Sequence, residues 1–176
     1  MLLLNSKKFL PFPDKQKSLY FKPLINFSPK ANLRHPGSYS SVSEFTQGGF
    51  KEIIDDQDAD AKKVKRVLLC SGKIFFDLNE FKSKNKVDDI AIVRLEQIYP
   101  LAVTQLEALK TKYKNAEWVW VQEEPLNMGA ASFLKMNLDV FEFRLIGRSA
   151  SAATATGFSK VHAKEQEEII NKAFAS

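Results

Sequence analysis

The residues best suited to chemistry follow directly after an apolar run. Ser71-Gly72-Lys73 comes after Arg66-Val-Leu-Leu-Cys70, which has the composition of a buried strand. Free backbone N–H groups at the start of the next helix, together with the Lys73 ammonium, could bind an anion. The P-loop pattern GxxxxGK(S/T) is not met, because its first glycine is missing and Ile74 replaces serine or threonine. The alternative interpretation is a tight turn whose lysine lies in solvent.

Polar side chains also end two later apolar runs. Gln122, Glu123 and Glu124 end one run, and Arg148 ends the other. Adjacent residues on an extended chain face opposite sides, so Glu123 and Glu124 are poorly placed to act as an acid-base pair. We expect one of them to cap a helix or to accept a hydrogen bond from a loop, which makes Gln122 the better contact residue. Arg148 could hold a phosphate or carboxylate, or could form a structural ion pair.

Other reactive side chains have simpler explanations. The single cysteine, Cys70, excludes a disulfide within the chain and favours a reducing compartment, and with only two histidines a structural zinc site lacks ligands. His162 is expected to form a local hydrogen bond at the start of the last helix. Trp118 and Trp120 share one face of a strand, which predicts core packing. The motifs GxGxxG and GxSxG do not occur in the sequence.

The net charge of +5 is unevenly distributed. Residues 1–43 hold seven Lys or Arg and one acid, for a net charge of +6, while the rest of the chain sums to −1. Since the body of the chain is slightly acidic, nucleic-acid binding is not favoured. Prolines concentrate before residue 40. We therefore predict an N-terminal arm and linker over residues 1–62, with at most a short strand over 21–27 and a short helix over 41–54, and a compact domain over 63–176.

Apolar runs alternate with helical periodicity throughout the predicted domain. Gly147 is expected to end a strand, Asn127 and Ser159 to cap helices, and the acidic stretch 55–60 to form a solvated loop. Predicted strands cover 66–70, 90–95, 117–122 and 141–146, and predicted helices cover 74–85, 102–113 and 130–138, with a last helix after 159. This order predicts an α/β fold with a mainly parallel sheet and helices on both faces, whose ligands gather at the carboxyl ends of the strands.

Five motifs, taken together, carry a resemblance to a known family. They are Ser28-Pro29-Lys30 with Leu33-Arg34-His35-Pro36, Cys70-Ser71-Gly72-Lys73, Ile92-Val-Arg-Leu-Glu-Gln-Ile-Tyr-Pro100, Gln122-Glu-Glu-Pro-Leu-Asn-Met-Gly-Ala130, and Gly147-Arg-Ser-Ala-Ser151. In this order, and from about residue 22 to residue 174, the chain resembles the C-terminal domain of the 2-oxoglutarate dehydrogenase E1 component, a transketolase-like protein.

The resemblance implies an enzyme whose chemistry lies mostly outside this sequence. The family is homodimeric, depends on thiamine diphosphate and Mg²⁺, decarboxylates 2-oxoglutarate in the tricarboxylic acid cycle and passes the succinyl group to a lipoyl group on the E2 component. The thiamine diphosphate motif GDG…N does not occur here. Since the cofactor is the electron sink for this chemistry, we expect the isolated chain to bind it weakly and to be inactive.

The resemblance also implies an effector site. In this family acetyl-CoA or AMP binds at or beside the C-terminal domain. The positions that match such a site are Ser28, Arg34, Ser71, Lys73 and Gln122, and Arg148 fits the same crevice.

Two other functional readings remain open at this point. The chain could be a stand-alone sensor of acetyl-CoA or a nucleotide, or a gene fragment without a function of its own. No apolar run approaches the roughly 20 residues that span a bilayer, so no membrane partner is expected. The expected compartment is the cytoplasm of a bacterium or the mitochondrial matrix of a eukaryote.

Overall fold

The computed structural model describes residues 30–47 and 49–175. The chain forms two compact units, which divide between Lys51 and Glu52. The strand predicted over residues 21–27, like most of the basic arm, lies outside the described residues. The boundary predicted between residues 62 and 63 stays a prediction.

The first unit contains only short helical elements among its described residues. Two 3₁₀ turns, Lys30–Leu33 and Pro36–Ser38, precede helix α1, Val42–Thr46. The helix predicted over 41–54 is therefore much shorter than expected. The sequence explains this, because glycines at 48 and 49 disfavour helix continuation.

The second unit alternates strands and helices, which confirms the predicted α/β class. Its elements are β1 (Ile53–Ile54), β2 (Arg66–Cys70), α2 (Ile74–Asn85), β3 (Ile90–Leu95), α3 (Val103–Lys112), β4 (Glu117–Pro125), α4 (Ala131–Asn137), β5 (Arg144–Arg148) and α5 (Ser159–Phe174). In this part of the chain no helix combines the length and the apolar character needed to cross a bilayer.

The five strands form one sheet in the order β1-β3-β2-β4-β5. Strand β2 lies at the centre and pairs in parallel with both β3 and β4, and β4 pairs in parallel with β5. Only β1 is antiparallel, opposite the end of β3. The carboxyl ends of β2, β3, β4 and β5 therefore lie along one edge of the sheet.

Apolar side chains fill both faces of the sheet, because successive residues of a strand point to opposite sides. One core contains Leu69 and Trp120 from the sheet, with Leu106 of α3 and Leu134 of α4. The other contains Leu68, Cys70 and Val121, with Leu78 of α2 and Ile169 of α5. Each fully buried leucine stabilises the fold by about 1.5–3 kcal/mol. Helices thus cover both faces, as predicted.

Strands β4 and β5 end later than the sequence pattern predicts. Strand β4 continues to Pro125, with an irregular register between Val121 and Pro125. Gly147 does not end β5 but lies inside it. A Cβ at Gly147 would lie 2.9 Å from the backbone oxygen of Glu124, so only glycine permits this close approach of the two strands.

Strand β5 begins at Arg144, three residues later than the sequence pattern predicts, and the aromatic residues before it pack into the core instead. Phe141 and Phe143 are buried in the segment before β5. The Phe141 ring stacks on Trp118, with ring centroids 3.9 Å apart. Trp118 and Trp120 are both buried, which confirms that the pair serves core packing.

The predicted helix caps are wrong. Ala130 is the N-cap of α4, whereas the Asn127 amide exchanges two hydrogen bonds with the backbone of Ser151. Ser159 is the first residue of α5, and Phe158 is its N-cap. Since neither N-cap residue makes a side-chain cap bond, the two helices depend on packing for their position.

The acidic stretch 55–60 is only partly the solvated loop that its composition predicts. Asp56 has a side chain 10% exposed, receives a hydrogen bond from the backbone N–H of Ile92 at 2.9 Å and pairs with Lys82 at 2.6 Å. Asp55 pairs with Lys112 and accepts a hydrogen bond from the Tyr113 hydroxyl at 2.8 Å. These two carboxylates therefore fix the segment after β1 against β3, α2 and α3.

Candidate functional site

Two cations from the predicted site converge on one residue at the carboxyl edge of the sheet. Lys73 stands between β2 and α2, where Gly72 has a φ of +82° that lets the chain turn. Arg148 ends β5, and Glu123 lies near the end of β4 between them. The Lys73 Nζ is 2.6 Å from the Glu123 carboxylate, and the Arg148 Nε donates to the Glu123 backbone oxygen.

Lys73 is held in a network and is not the solvated lysine of the alternative interpretation. Its side chain is 27% exposed and its Nζ also lies 3.3 Å from Asp77, one turn along α2. Burial alone would lower the pKa of Lys73, but the hydrogen bonds and charges of Glu123 and Asp77 outweigh it and raise the pKa above its ordinary value. Lys73 therefore remains a cation throughout the neutral range.

Helix α5 closes the same network. The Gln166 amide donates to Asp77 at 2.7 Å and to Glu123 at 2.9 Å, so it joins α5 to both α2 and β4. Asp77 and Glu123 each contact both Lys73 and Gln166. These contacts link α2, β4 and α5 to one another.

Arg148 makes the structural contacts that the sequence left open as its alternative role. Its Nη1 donates to the Thr156 hydroxyl at 2.9 Å and lies 3.7 Å from the carboxylate of Glu165. Thr156 in turn donates to Glu165. The described charged groups of this network are two cations and three carboxylates, so an anionic ligand must compete with carboxylates for Lys73 and Arg148.

Gln122 is buried and fully hydrogen bonded within the chain. It is 2% exposed, and its Oε1 accepts from the Trp120 indole at 2.9 Å and from the backbone N–H of Ala131 at 3.1 Å. Its amide nitrogen donates to the backbone oxygen of Pro125, the last residue of β4, at 3.0 Å and to that of Met128 in the following loop at 2.8 Å. Gln122 therefore organises the irregular end of β4 and the start of α4.

The remaining predicted site residues lie in different places. Ser71 is half-buried at the end of β2, beside Lys73. Arg34 is exposed in the first unit, where its backbone oxygen accepts a hydrogen bond from Tyr39. Ser28 lies outside the described residues. The structure thus brings Lys73 and Arg148 together at Glu123, whereas Ser71 and Gln122 share only the carboxyl edge of the sheet with them. The effector site as a whole stays a prediction.

Sequence reasoning missed part of this network. Asp77 lies four residues after Lys73 on a predicted helix, a spacing that favours an ion pair and could have been recognised. Gln166 and Glu165 lie on α5, more than 40 residues from Glu123, and their proximity depends on the sheet order, which the sequence pattern does not determine.

A second polar pair, Arg94 and Glu96, lies at the end of β3. Arg94 is 6% exposed, its Nε is 4.0 Å from the Glu96 carboxylate, and its guanidinium lies 4.3 Å from the centre of the Phe75 ring.

The neighbouring Cys70 is buried, and burial raises the pKa of its thiol to about 12. A neutral, buried thiol is a poor nucleophile, so Cys70 serves packing.

The described residues do not fit the Mg²⁺ of a thiamine diphosphate site. Within residues 30–47 and 49–175, no group of three or more His, Cys, Asp or Glu side chains is placed to hold a metal ion. Asp77, Glu123 and Glu165 are instead engaged with cations and amides of the chain itself.

Comparison with known proteins establishes the family. The sequence profile described as 2-oxoglutarate dehydrogenase C-terminal matches residues 39–174. The chain belongs to this family. The match covers the strands β1 to β5 and the helices α1 to α5, and it confirms the resemblance derived from the five motifs.

Curated relatives agree with this assignment. The chain is 45% identical over 160 residues to an oxoglutarate dehydrogenase of Buchnera aphidicola, a match that covers 87% of the chain and 18% of the relative. It is 39% identical over 161 residues to the 2-oxoglutarate dehydrogenase E1 component of Haemophilus influenzae, with 88% and 17% covered. It is 43% identical over 165 residues to a multifunctional 2-oxoglutarate metabolism enzyme of Mycolicibacterium vanbaalenii, with 87% and 13% covered. The chain therefore spans less than a fifth of the length of these relatives.

Proposed function

We propose that this chain acts as the C-terminal domain of a 2-oxoglutarate dehydrogenase E1 component. The observation that carries the proposal is the family match over residues 39–174, together with relatives that are E1 components or enzymes of 2-oxoglutarate metabolism. In this proposal the assembled E1 decarboxylates 2-oxoglutarate and transfers the succinyl group to a lipoyl group of E2. In this proposal other domains of the E1 component bind thiamine diphosphate and Mg²⁺, since no described group of three or more His, Cys, Asp or Glu side chains is placed to hold a metal ion.

An assembly experiment tests this proposal. A Haemophilus influenzae E1 component truncated before its C-terminal region is mixed with this chain, and 2-oxoglutarate-dependent reduction of ferricyanide is measured. We expect each polypeptide alone to be inactive and the mixture to be active, with the two eluting together from a sizing column. Activity of the isolated chain would contradict the proposal. Failure of the mixture to associate would also contradict it and would leave a stand-alone sensor or a fragment without function.

For the chain's own contribution we propose assembly, including dimerisation, and binding of an effector such as acetyl-CoA or AMP. Support comes from Ser71, Lys73 and Arg148, which share the carboxyl edge of the sheet, where α/β folds bind ligands. Gln122 is buried and would act by holding the end of β4 in place. A phosphate would take the place of the Glu123 carboxylate beside Lys73. The family resemblance alone implies that Arg34 and Ser28 also take part in effector binding. Because Glu123 competes with the ligand, removing its charge should strengthen binding.

Calorimetric titration of acetyl-CoA and of AMP tests the effector site. We expect Arg34→Ala to weaken binding about tenfold, because it removes a cation that the resemblance implies for the effector. Glu123→Gln should strengthen binding by a similar factor, because it removes the carboxylate that competes for Lys73. Lys84→Ala and Glu80→Gln, which alter exposed residues of α2, are the matched controls. Equal affinity of wild type and Arg34→Ala, or no binding by either, would remove the effector role.

A further inference from the structure

A groove beside β5 lies outside the polar network described above. It has a volume of about 570 Å³ and is lined by residues of β2, β4 and β5 and of the C-terminal end of α5. Its lining includes Arg66, Glu117, Arg144, Gly147, Ser149 and Lys172. The groove therefore combines the edge of the sheet with several charged side chains.

The outer edge of β5 offers backbone hydrogen-bonding groups. Strand β5 is last in the sheet, and within residues 30–47 and 49–175 no strand pairs with its outer side. The backbone oxygen of Arg148 accepts from the Leu126 N–H on the β4 side at 3.0 Å. Because successive residues of a strand direct their N–H and C=O groups to alternate sides, Leu145 and Gly147 direct theirs outward. Both residues line the groove.

The opposite edge of the sheet is protected by comparison. Strand β1 has only two residues, and directly after it the Asp56 carboxylate accepts the Ile92 N–H that a longer strand would have bound. Short strands and charged side chains are common means of blocking edge pairing. Strand β5 is five residues long, and its half-buried residues Leu145 and Gly147 line the groove.

The charges that line the groove are mostly positive. Glu117 is shared between Arg66, at 2.6 Å, and Arg144, at 2.8 Å. Lys172 is exposed and makes no hydrogen bond or ion pair with any described residue. Three cations thus face one carboxylate, and the carboxylate is already paired. This charge balance favours an acidic occupant and opposes a second copy of the chain, which would place Arg144 and Lys172 of both copies together.

We propose that an extended, acidic segment of a partner protein adds a strand to the outer edge of β5. Its backbone pairs with the outward groups of Leu145 and Gly147, and its carboxylates face Arg144 and Lys172. Main-chain pairing supplies affinity in this mode of recognition, and alternate side chains supply specificity. Since side chains alternate along a strand, the segment should carry acids at every second position.

The probe is a fluorescein-labelled octapeptide of alternating Glu and Val, titrated into the full-length chain and followed by anisotropy. We expect saturable binding that the double variant Arg144→Glu, Lys172→Glu weakens about tenfold or more and that added salt weakens as well. The matched control Lys164→Glu, on an exposed position of α5, should bind as the wild type does. Circular dichroism checks that each variant is folded.

Two further probes test the strand pairing without any change to the protein. One octapeptide is N-methylated at its Glu residues and the other at its Val residues. Only the residues that face β5 need their N–H groups, so one methylated peptide should bind and the other should not. Equal binding of both, equal binding of a Lys-Val octapeptide, or no binding up to about 1 mM would overturn the proposal. Self-association of the chain, if the double variant abolishes it, would also overturn the proposal, because a second copy of the chain would then occupy the outer edge of β5.

Discussion

Gly147 illustrates how a single residue determines the local path of two strands. A Cβ there would meet the Glu124 backbone oxygen at 2.9 Å, the Leu126 side chain at 3.1 Å and the Gln122 side chain at 3.2 Å. The backbone oxygen cannot move without disturbing the end of β4. We therefore expect Gly147→Ala to lower the free energy of unfolding by about 1–3 kcal/mol through overpacking.

Urea denaturation measures this effect, and Gly157→Ala is its matched control. A Cβ at Gly157 would have nothing within 4 Å, so that substitution should change stability by no more than about 1 kcal/mol, in the stabilising direction. Equal effects of the two substitutions would show that the close approach at Gly147 does not constrain the fold.

At the scale of elements, Glu117 joins strands that are not neighbours. It begins β4 and pairs with Arg66 of β2 and Arg144 of β5. The hydrogen bond from Arg144 lowers the pKa of Glu117 most, and the hydrogen bond and charge of Arg66 lower it further. Together they outweigh burial, which raises it, and hold the pKa of Glu117 below its ordinary value. A carboxyl whose pKa is lowered by folding stabilises the protein above its unfolded pKa and loses that contribution as the pH falls through its folded pKa.

Melting temperatures between about pH 6 and pH 3 test this linkage. We expect the wild type to lose stability over the acidic part of this range more steeply than Glu117→Gln, whose side chain does not titrate. Glu107→Gln, an exposed position of α3, should follow the wild type. If all three proteins show the same pH dependence, the pairing of Glu117 contributes nothing measurable.

The elements that could be predicted are those whose signal is local. Strands β2 and β3 are apolar runs bounded by turn residues, and α2 shows its own periodicity. The end of β4 was not predicted, because Glu123 and Pro125 are atypical of strands and are held there by pairing with β5. The sequence predicts Lys73 and Arg148 as anion-binding residues but not their contacts with Glu123, because Glu123 and Gln166 come close to them only through the strand order.

At the scale of the whole molecule, the residue at which the second unit begins can be tested by truncation. The sequence predicts a domain from residue 63, whereas the compact unit begins at Glu52. The residues between contribute β1, the Asp55 contacts with Lys112 and Tyr113, and the Asp56 contacts with Lys82 and Ile92. Lys82 is only 12% exposed, so loss of Asp56 would leave a poorly solvated ammonium without its carboxylate.

Two fragments, residues 52–176 and residues 63–176, measure what this segment contributes. We expect the longer fragment to unfold cooperatively, because all five strands and both cores lie within it. The shorter fragment should lose about 2–5 kcal/mol, the sum of several hydrogen bonds and ion pairs, which corresponds to a melting temperature lower by roughly 8–20 °C. Asp58→Ala, an exposed position in the same segment, is the control and should leave the longer fragment unchanged. Equal stability of the two fragments would place the boundary at residue 63, because residues 52–62 would then add nothing to the unit that they contact.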